Sequence, residues 1–156
     1  MNGNSGRFSL DTNVLVYAID NQAGARHEVA KPIVERAVRC DCWITLQAVS
    51  EFYSATTRKR VLQRDEAAAQ AEDWLRLFPT VAPTATSVRS ALAEAAAGRA
   101  SYWDALLIAT AREAGCSVIL TEDLAHGTDF GGMRIHNPFS TSGRLDPLTR
   151  QLLALE

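Results

Sequence analysis

Four acidic residues stand at positions where they could carry chemistry together. Asp11 and Asp123 each follow a short apolar stretch that predicts a buried strand, while Glu51 and Asp104 lie in early turns of two predicted helices. Like charges brought within a few ångströms repel one another and disfavour their shared ionisation, so such a group needs a counter-charge. A bound divalent cation would supply it.

The type of ligand indicates which cation this would be. Carboxylate oxygens, with no histidine in the set, favour Mg²⁺ or Mn²⁺ over zinc. Mg²⁺ commonly keeps several waters and completes its coordination with a substrate phosphate. Hydrolysis of a phosphodiester is therefore the reaction that these residues predict, with the cation activating water and neutralising the charge that develops on the leaving oxygen.

The elements around these acids predict an α/β fold. Short buried strands are expected at residues 7–10, 42–45, 117–121 and 134–136, and helices at 14–18, 27–38, 46–60, 65–78, between Pro83 and Gly98, at 102–114 and from 147 onward. Helices that alternate with short buried strands predict a parallel sheet covered on both faces, which binds ligands at the carboxyl ends of its strands. Asp11 and Asp123 fall at those ends.

Capping residues mark where several helices begin and end. Asp65, Ser101 and Asp146 are predicted N-caps, and Gly115 is predicted to follow a helix in the left-handed conformation. Asp104 lies three residues after Ser101, close to the pattern of a capping box, and an acid in the first turn also interacts favourably with the helix dipole. A purely structural role for Asp104 is thus an alternative to metal binding.

Each of the other acids also has a structural alternative. Asp11 could belong to a turn between strand and helix, and Glu51 could be a solvated helix residue. Asp123 and its neighbour Glu122 could form a polar turn. Only the occurrence of these acids together favours chemistry.

Four motifs follow one another in a fixed order along the chain. They are residues 10–15 (LDTNVL), 50–53 (SEFY), 102–106 (YWDAL) and 121–124 (TEDL). Together they resemble the PIN-domain nucleases, and the VapC-type toxins most closely. The resemblance runs from about residue 8 to residue 139.

The resemblance implies a three-layer α/β/α sandwich around a parallel sheet and a metal-dependent endoribonuclease activity. It also implies a homodimer and a cognate antitoxin protein whose tail enters the acidic cleft. Asp11, Glu51 and Asp104 match the three acids that the family pattern uses to bind Mg²⁺ or Mn²⁺, and Asp123 matches the fourth.

Two further polar residues belong to the same family pattern. The pattern places its fourth acid two positions after a Ser or Thr, here Thr121, which favours Asp123 over the neighbouring Glu122. The Thr121 hydroxyl is expected to hydrogen-bond within the site, and Asn13 resembles a residue that orients Asp11.

A basic cluster follows Glu51 along the chain. Arg58, Lys59, Arg60 and Arg64 could contact RNA phosphates or could form a solvated helix face. With 16 basic and 18 acidic residues the chain has a formal net charge of −2, so a local patch rather than the overall charge would have to attract nucleic acid.

Length and composition are those of one globular domain. The 156 residues, 47% of them hydrophobic, fit a single domain with a core at about 7–139 and a short tail at 140–156. The first residues lack the features of an export signal, the apolar runs are too short for a membrane span, and three cysteines argue against a disulfide framework. We therefore expect a cytoplasmic protein.

Other functions share parts of this pattern. A phosphoaspartyl phosphatase or a receiver domain also places acids at strand ends, but the first needs an acid where Asn13 stands. Both need a lysine late in the chain, whereas the lysines here are Lys31 and Lys59. A non-catalytic PIN-like scaffold or RNA-binding module is the remaining alternative, although it has no need of four acids at these positions.

Overall fold

The computed structural model describes residues 6–124, 129–140 and 143–155. Its strands are β1 (Phe8–Leu10), β2 (Ile44–Thr45), β3 (Thr80–Val81), β4 (Val118–Leu120), β5 (Asp129–Phe130) and β6 (Met133–His136). Its helices are α1 (Thr12–Ile19), α2 (Ala25–Ala37), α3 (Leu46–Arg58), α4 (Arg64–Leu77), α5 (Ala85–Ala96), α6 (Tyr102–Glu113) and α7 (Pro147–Leu152). Within the described residues, no helix combines the length and the apolar character needed to cross a lipid bilayer.

The strands form a mostly parallel four-stranded sheet with a two-stranded extension. Strand β4 pairs in parallel with both β1 and β6, and the short β5 pairs antiparallel with β6 at the edge. Strands β2 and β3 are parallel to each other, and a bridge between Phe8 and Cys42 joins this pair to β1. The register sets Leu10 beside Leu120 and Leu120 beside His136, so β1, β4 and β6 end at the same level.

Helices cover both faces of this sheet. Every residue of β1 and β4 is buried, which requires packing on both sides of each strand. The main hydrophobic core combines side chains of β1, β4 and β6 with side chains of α1, α2, α3 and α6. The predicted three-layer α/β/α sandwich around a parallel sheet is confirmed.

Two local features differ from the sequence prediction. Strands β3 and β5 were not expected, because each is two residues long and so short a segment has no measurable periodicity. The predicted N-cap at Asp65 is wrong: α4 begins at Arg64, with Gln63 as its N-cap. The Gln63 N–H donates to the Glu66 carboxylate at 3.2 Å, which fixes the earlier start.

Three other residues that the sequence predicts at helix boundaries are confirmed. Ser101 Oγ accepts from the Asp104 N–H at 3.2 Å, and Asp146 Oδ1 accepts from the Thr149 N–H at 3.0 Å. Gly115 has a φ of +91°, which a residue with a side chain rarely adopts. These observations confirm Ser101 and Asp146 as N-caps and Gly115 as the left-handed residue that follows α6.

The C-terminal helix α7 packs on the body of the protein. Leu152 and Leu153 are buried in the main core. The carboxylate that caps α7, Asp146, also meets His136 at the end of β6, where Nε2 and Oδ1 lie 2.8 Å apart. The side chains of His136 and Asp146 are 7% and 8% exposed, so a buried polar contact joins the sheet to α7.

Replacing Asp146 by alanine is expected to lower the free energy of unfolding by about 2 to 3 kcal/mol, because a helix cap and a partner of a buried imidazole are lost together. Urea unfolding followed by circular dichroism measures the change. Asp73→Ala is the control: its carboxylate pairs with Arg76 on the exposed surface of α4, and its loss should cost about 0.5 kcal/mol. A cost for Asp146→Ala no larger than that of the control would contradict the joining role.

Candidate functional site

A cavity of about 410 Å³ opens beside the carboxyl ends of β1 and β4. All four acids that the sequence singled out line it: Asp11, Glu51, Asp104 and Asp123. Arg58 and Lys59 also border the cavity, whereas Arg60 and Arg64 are not part of its lining. The structure therefore brings the acids together and adds two of the four basic residues.

Asp11 is the most enclosed of the four acids. It follows β1 directly, its N–H donates to the Leu120 carbonyl of β4 at 3.0 Å, and 6% of the residue is exposed. The Thr12 N–H donates to Oδ1 at 2.6 Å, which makes Asp11 the N-cap of α1. The Thr121 hydroxyl donates to Oδ2 at 2.7 Å. Both oxygens of the Asp11 carboxylate are thus held.

The environment of Asp11 disfavours its charge. Burial raises the pKa of Asp11 from 3.8 to about 6. The hydrogen bonds from Thr121 and Thr12 act against this rise in pKa, whereas the charges of Asp123 and Glu51 add to it. A cation in the cavity would favour the ionised form of Asp11.

Thr121 connects several parts of the site through one hydroxyl. Besides donating to Asp11, its Oγ1 accepts from Asn13 Nδ2 at 3.2 Å and from the Asp123 N–H at 3.1 Å. The sequence predicted that Asn13 orients Asp11, but the Asn13 amide contacts Thr121 and, at 3.3 Å, the Glu122 N–H. Asn13 therefore acts on Asp11 through the threonine.

Glu51 is held by α3 and by the start of α1. Its Oε1 accepts from Gln47 Nε2 at 3.0 Å, and its Oε2 accepts from the Thr12 hydroxyl at 3.1 Å. Gln47 also donates to the Trp103 carbonyl at 3.0 Å, which ties α3 to the first turn of α6, where Asp104 lies. Sequence reasoning missed Gln47, because an amide on a helix surface has no distinctive spacing.

The carboxylates of Asp104 and Asp123 make no hydrogen bond or ion pair with any residue that the structure describes. At the start of α6, Ser101 caps the backbone N–H of Asp104, and the Asp104 side chain takes no part in that bond. The half of a capping box that would need the Asp104 carboxylate is thus missing within the described residues. Both carboxylates are available to a ligand in the cavity.

Glu122, the other possible fourth acid, is engaged elsewhere. Its Oε1 accepts from the hydroxyl of Tyr17, and its Oε2 accepts from Nε of Arg26 at 2.6 Å. Burial and the hydrogen bond to Glu122 raise the pKa of Tyr17 to about 12, so the phenol keeps its proton at neutral pH. Asp123 lines the cavity and Glu122 does not, which favours Asp123 as the fourth acid.

The chemistry of the cavity suits a hard divalent cation. Its acids offer oxygen ligands, no histidine or cysteine is among its lining residues, and Asp11 is both buried and close to other negative charges. Within the described residues, no three carboxylate, imidazole or thiolate groups lie close enough to form a preassembled metal site. For a cation to bind here the carboxylates would have to come closer together, and Asp104 and Asp123, which make no hydrogen bond within the described residues, are best placed to move.

The PIN domain model of known protein families matches residues 9–126, a span that contains all four acids of the cavity. The chain belongs to the PIN domain family. This PIN domain is also similar to Ribonuclease VapC24 of Mycobacterium tuberculosis, with 29% identity over 144 residues that cover 87% of this chain and 99% of VapC24. The resemblance seen in the four motifs is confirmed.

Solved structures of VapC toxins share the fold of this PIN domain. VapC20 of Mycobacterium tuberculosis, described as a toxin that cleaves the sarcin-ricin loop, is 20% identical and has a TM-score of 0.59; the match covers 72% of this chain and 86% of VapC20. VapBC2 from Rickettsia felis, bound to a DNA fragment from its promoter, is 13% identical with a TM-score of 0.61, covering 84% of this chain and 98% of the other. At these identities the likeness shows the fold.

Asp11→Asn is expected to change how the stability of this PIN domain depends on pH. A buried carboxyl group with a raised pKa contributes stability below pH 3.8 that is lost as the pH rises to about 6, because the folded state must then carry the charge. Asparagine does not titrate. The unfolding free energy of the variant relative to the wild type should therefore rise by up to about 3 kcal/mol between about pH 4 and about pH 7.

Thermal unfolding in the presence of a chelator, repeated across this pH range, measures the difference between Asp11→Asn and the wild type. Asp73→Asn, on the exposed surface of α4, controls for the loss of one negative charge. A difference for Asp11→Asn that stays constant with pH would contradict the buried charge.

Proposed function

We propose that this PIN domain is a Mg²⁺- or Mn²⁺-dependent endoribonuclease and the toxin of a toxin–antitoxin pair. The observation that carries the proposal is the convergence of Asp11, Glu51, Asp104 and Asp123 on one cavity. Two relatives support the substrate class: VapC24 is named a ribonuclease, and VapC20 is described as cleaving the sarcin-ricin loop.

The four acids would hold the cation in two different ways. Asp11 and Glu51 are oriented by hydrogen bonds from Thr121 and Thr12, so they form the fixed side of the site. Asp104 and Asp123 have unbonded carboxylates and would close onto the cation from the other side. When bound, the cation supplies an activated water and neutralises the charge on the leaving oxygen of the phosphodiester.

Arg58 and Lys59 are the proposed RNA contacts. Both side chains are exposed and lie at the end of α3, on the border of the acidic cavity. Cations there would bind phosphates next to the scissile bond and hold the strand over the acids despite the repulsion between acids and phosphates. Arg60 and Arg64 lie outside the cavity lining, so we give them no part in holding the scissile phosphate.

A cognate antitoxin and a second copy of the chain are the proposed protein partners. Solved VapBC structures from Rickettsia felis and Salmonella typhimurium share the fold. An antitoxin tail that enters the cleft would meet an acidic surface, so positive charge on that tail would be complementary. We further propose that residues 1–156 form one domain that works as a homodimer in the cytoplasm.

A non-catalytic scaffold or RNA-binding module is the alternative function. The observation in its favour is that the acids, in the part of the chain that the structure describes, are not preassembled around a metal position. Such a protein would not cleave RNA, and the loss of one carboxylate would leave its RNA binding intact. A cleavage assay therefore separates the two functions.

Purified protein is expected to cleave bacterial RNA with Mn²⁺ or Mg²⁺ and not with a chelator. Asp11→Asn should cleave about a hundredfold more slowly while still folding, because one ligand charge is lost. Mapping of new RNA ends, with Asp73→Asn as control, measures this.

Mn²⁺ should also stabilise the wild type by about 2.7 kcal/mol at a hundred times its Kd. The proposal would be overturned if Asp11→Asn cleaved RNA as fast as the wild type. It would also be overturned if neither the melting temperature nor the cleavage rate of the wild type changed with Mn²⁺.

Asp104→Asn separates a metal ligand from a helix cap. Because Ser101 bonds the backbone of Asp104, asparagine keeps the cap, and the melting temperature in chelator should stay level or rise. Cleavage should fall about a hundredfold. Ser101→Ala is the reciprocal variant: it should lose about 1 kcal/mol of stability and keep its Mn²⁺ requirement. If Asp104→Asn cleaves like the wild type and melts lower without metal, Asp104 serves the helix alone.

A further inference from the structure

In the turn after β4, the neighbouring side chains of Glu122 and Asp123 point in different directions. Asp123 lines the cavity, whereas Glu122 accepts one hydrogen bond from the Tyr17 hydroxyl and one from Arg26 Nε. We refer to Tyr17, Arg26 and Glu122 as the Glu122 clamp. No step of the proposed cleavage accounts for this clamp.

The clamp joins elements that are far apart in the sequence. Tyr17 belongs to α1, Arg26 to the first turn of α2, and Glu122 follows β4. The guanidinium carbon of Arg26 lies 5.7 Å from the centre of the Tyr17 ring, which itself packs edge-on against Phe139 with ring centres 5.3 Å apart. The Arg26 side chain is 54% exposed, so its ion pair contributes little to stability.

The backbone of the same turn is also held. The Glu122 N–H donates to Asn13 Oδ1 at 3.3 Å, and the Asp123 N–H donates to Thr121 Oγ1 at 3.1 Å. The Asp123 carboxylate, by contrast, makes no hydrogen bond or ion pair with the described part of the chain. Its direction therefore depends on the conformation of the turn, and the clamp fixes the neighbouring side chain of that turn.

We propose that Tyr17 and Arg26 are positioning residues for Asp123: by holding Glu122 they keep the turn in the conformation that directs Asp123 into the cavity. This inference rests on the proposed metal-dependent function. The charge of Arg26 also supports metal binding by Asp123, because it neutralises the charge of Glu122. Without that balance a fifth acid would add to the repulsion in the cavity and would compete with Asp123 for the cation.

A titration with Mn²⁺ tests the effect on metal binding. The melting temperatures of Arg26→Ala and Tyr17→Phe are followed against Mn²⁺ concentration, beside the control Arg99→Ala. Arg99 Nε pairs with Glu94 Oε2 at the same 2.6 Å, and neither residue lines the cavity. Both clamp variants should need about tenfold more Mn²⁺ for half of the stabilisation, and the control should match the wild type. Arg26→Lys, which keeps the charge, should recover part of the loss.

Hydrogen exchange tests the positioning without metal and without activity. In chelator, the amides of Glu122 and Asp123 should exchange about fivefold faster in Arg26→Ala and Tyr17→Phe than in the wild type, because the turn opens more often. Arg99→Ala should leave both rates unchanged. If Tyr17→Phe fails to fold, Arg26→Ala decides, because the Arg26 side chain is largely exposed.

Two results would overturn the proposal that the Glu122 clamp positions Asp123. One is unchanged exchange of these amides, whatever the metal titration gives. The other is an unchanged Mn²⁺ midpoint in Arg26→Ala while the wild type responds to Mn²⁺; a raised KM for RNA in the same variant would then make Arg26 a phosphate contact. If the melting temperature of the wild type does not change with Mn²⁺, the proposed metal-dependent function is wrong. The hydrogen-exchange rates alone then decide whether Tyr17 and Arg26 hold the turn.

Discussion

The parallel register of β1 and β4 is the constraint on which the site depends. Because Leu10 lies beside Leu120, the next residues of the two strands, Asp11 and Thr121, emerge side by side. The Thr121 hydroxyl can then donate to a carboxylate that is almost fully buried. Such a bond to a charged group contributes roughly 1.5 to 3 kcal/mol, yet the raised pKa of Asp11 shows that burial outweighs it. The fold therefore holds Asp11 in place while making its ionised form less stable than it would be in water.

At the starts of α3 and α6, the free backbone N–H groups are bonded by side chains other than the acids of the cavity. Thr45 caps α3 through the Ala48 N–H, and Ser101 caps α6 through the Asp104 N–H. Hydroxyls thus perform the work that carboxylates often perform at helix starts. Asp104 keeps its charge available, and Asp11, which does cap α1, is the exception.

The sequence was sufficient to predict the fold class, because buried strands and amphipathic helices have periodicities that can be read locally. Because that fold places strand ends and helix starts at one edge of the sheet, it was also sufficient to predict that Asp11, Glu51, Asp104 and Asp123 lie together. It was not sufficient to predict the direction of Glu122, since its partner Arg26 lies 96 residues away and no local pattern links them. The contact of Asn13 with Thr121 was missed for the same reason, at a separation of 108 residues. Side-chain pairs of this kind follow from packing and have no sequence signal of their own.

The separation between Asp11 and Thr121, 110 residues, also has a consequence for synthesis on the ribosome. Translation adds about 5 to 20 residues per second, so Asp11 leaves the ribosome at least several seconds before β4 does. Throughout that interval the growing chain carries Asp11 without the strand β4 that pairs with β1. The order of the strands therefore delays assembly of the cavity until β4 has been synthesised.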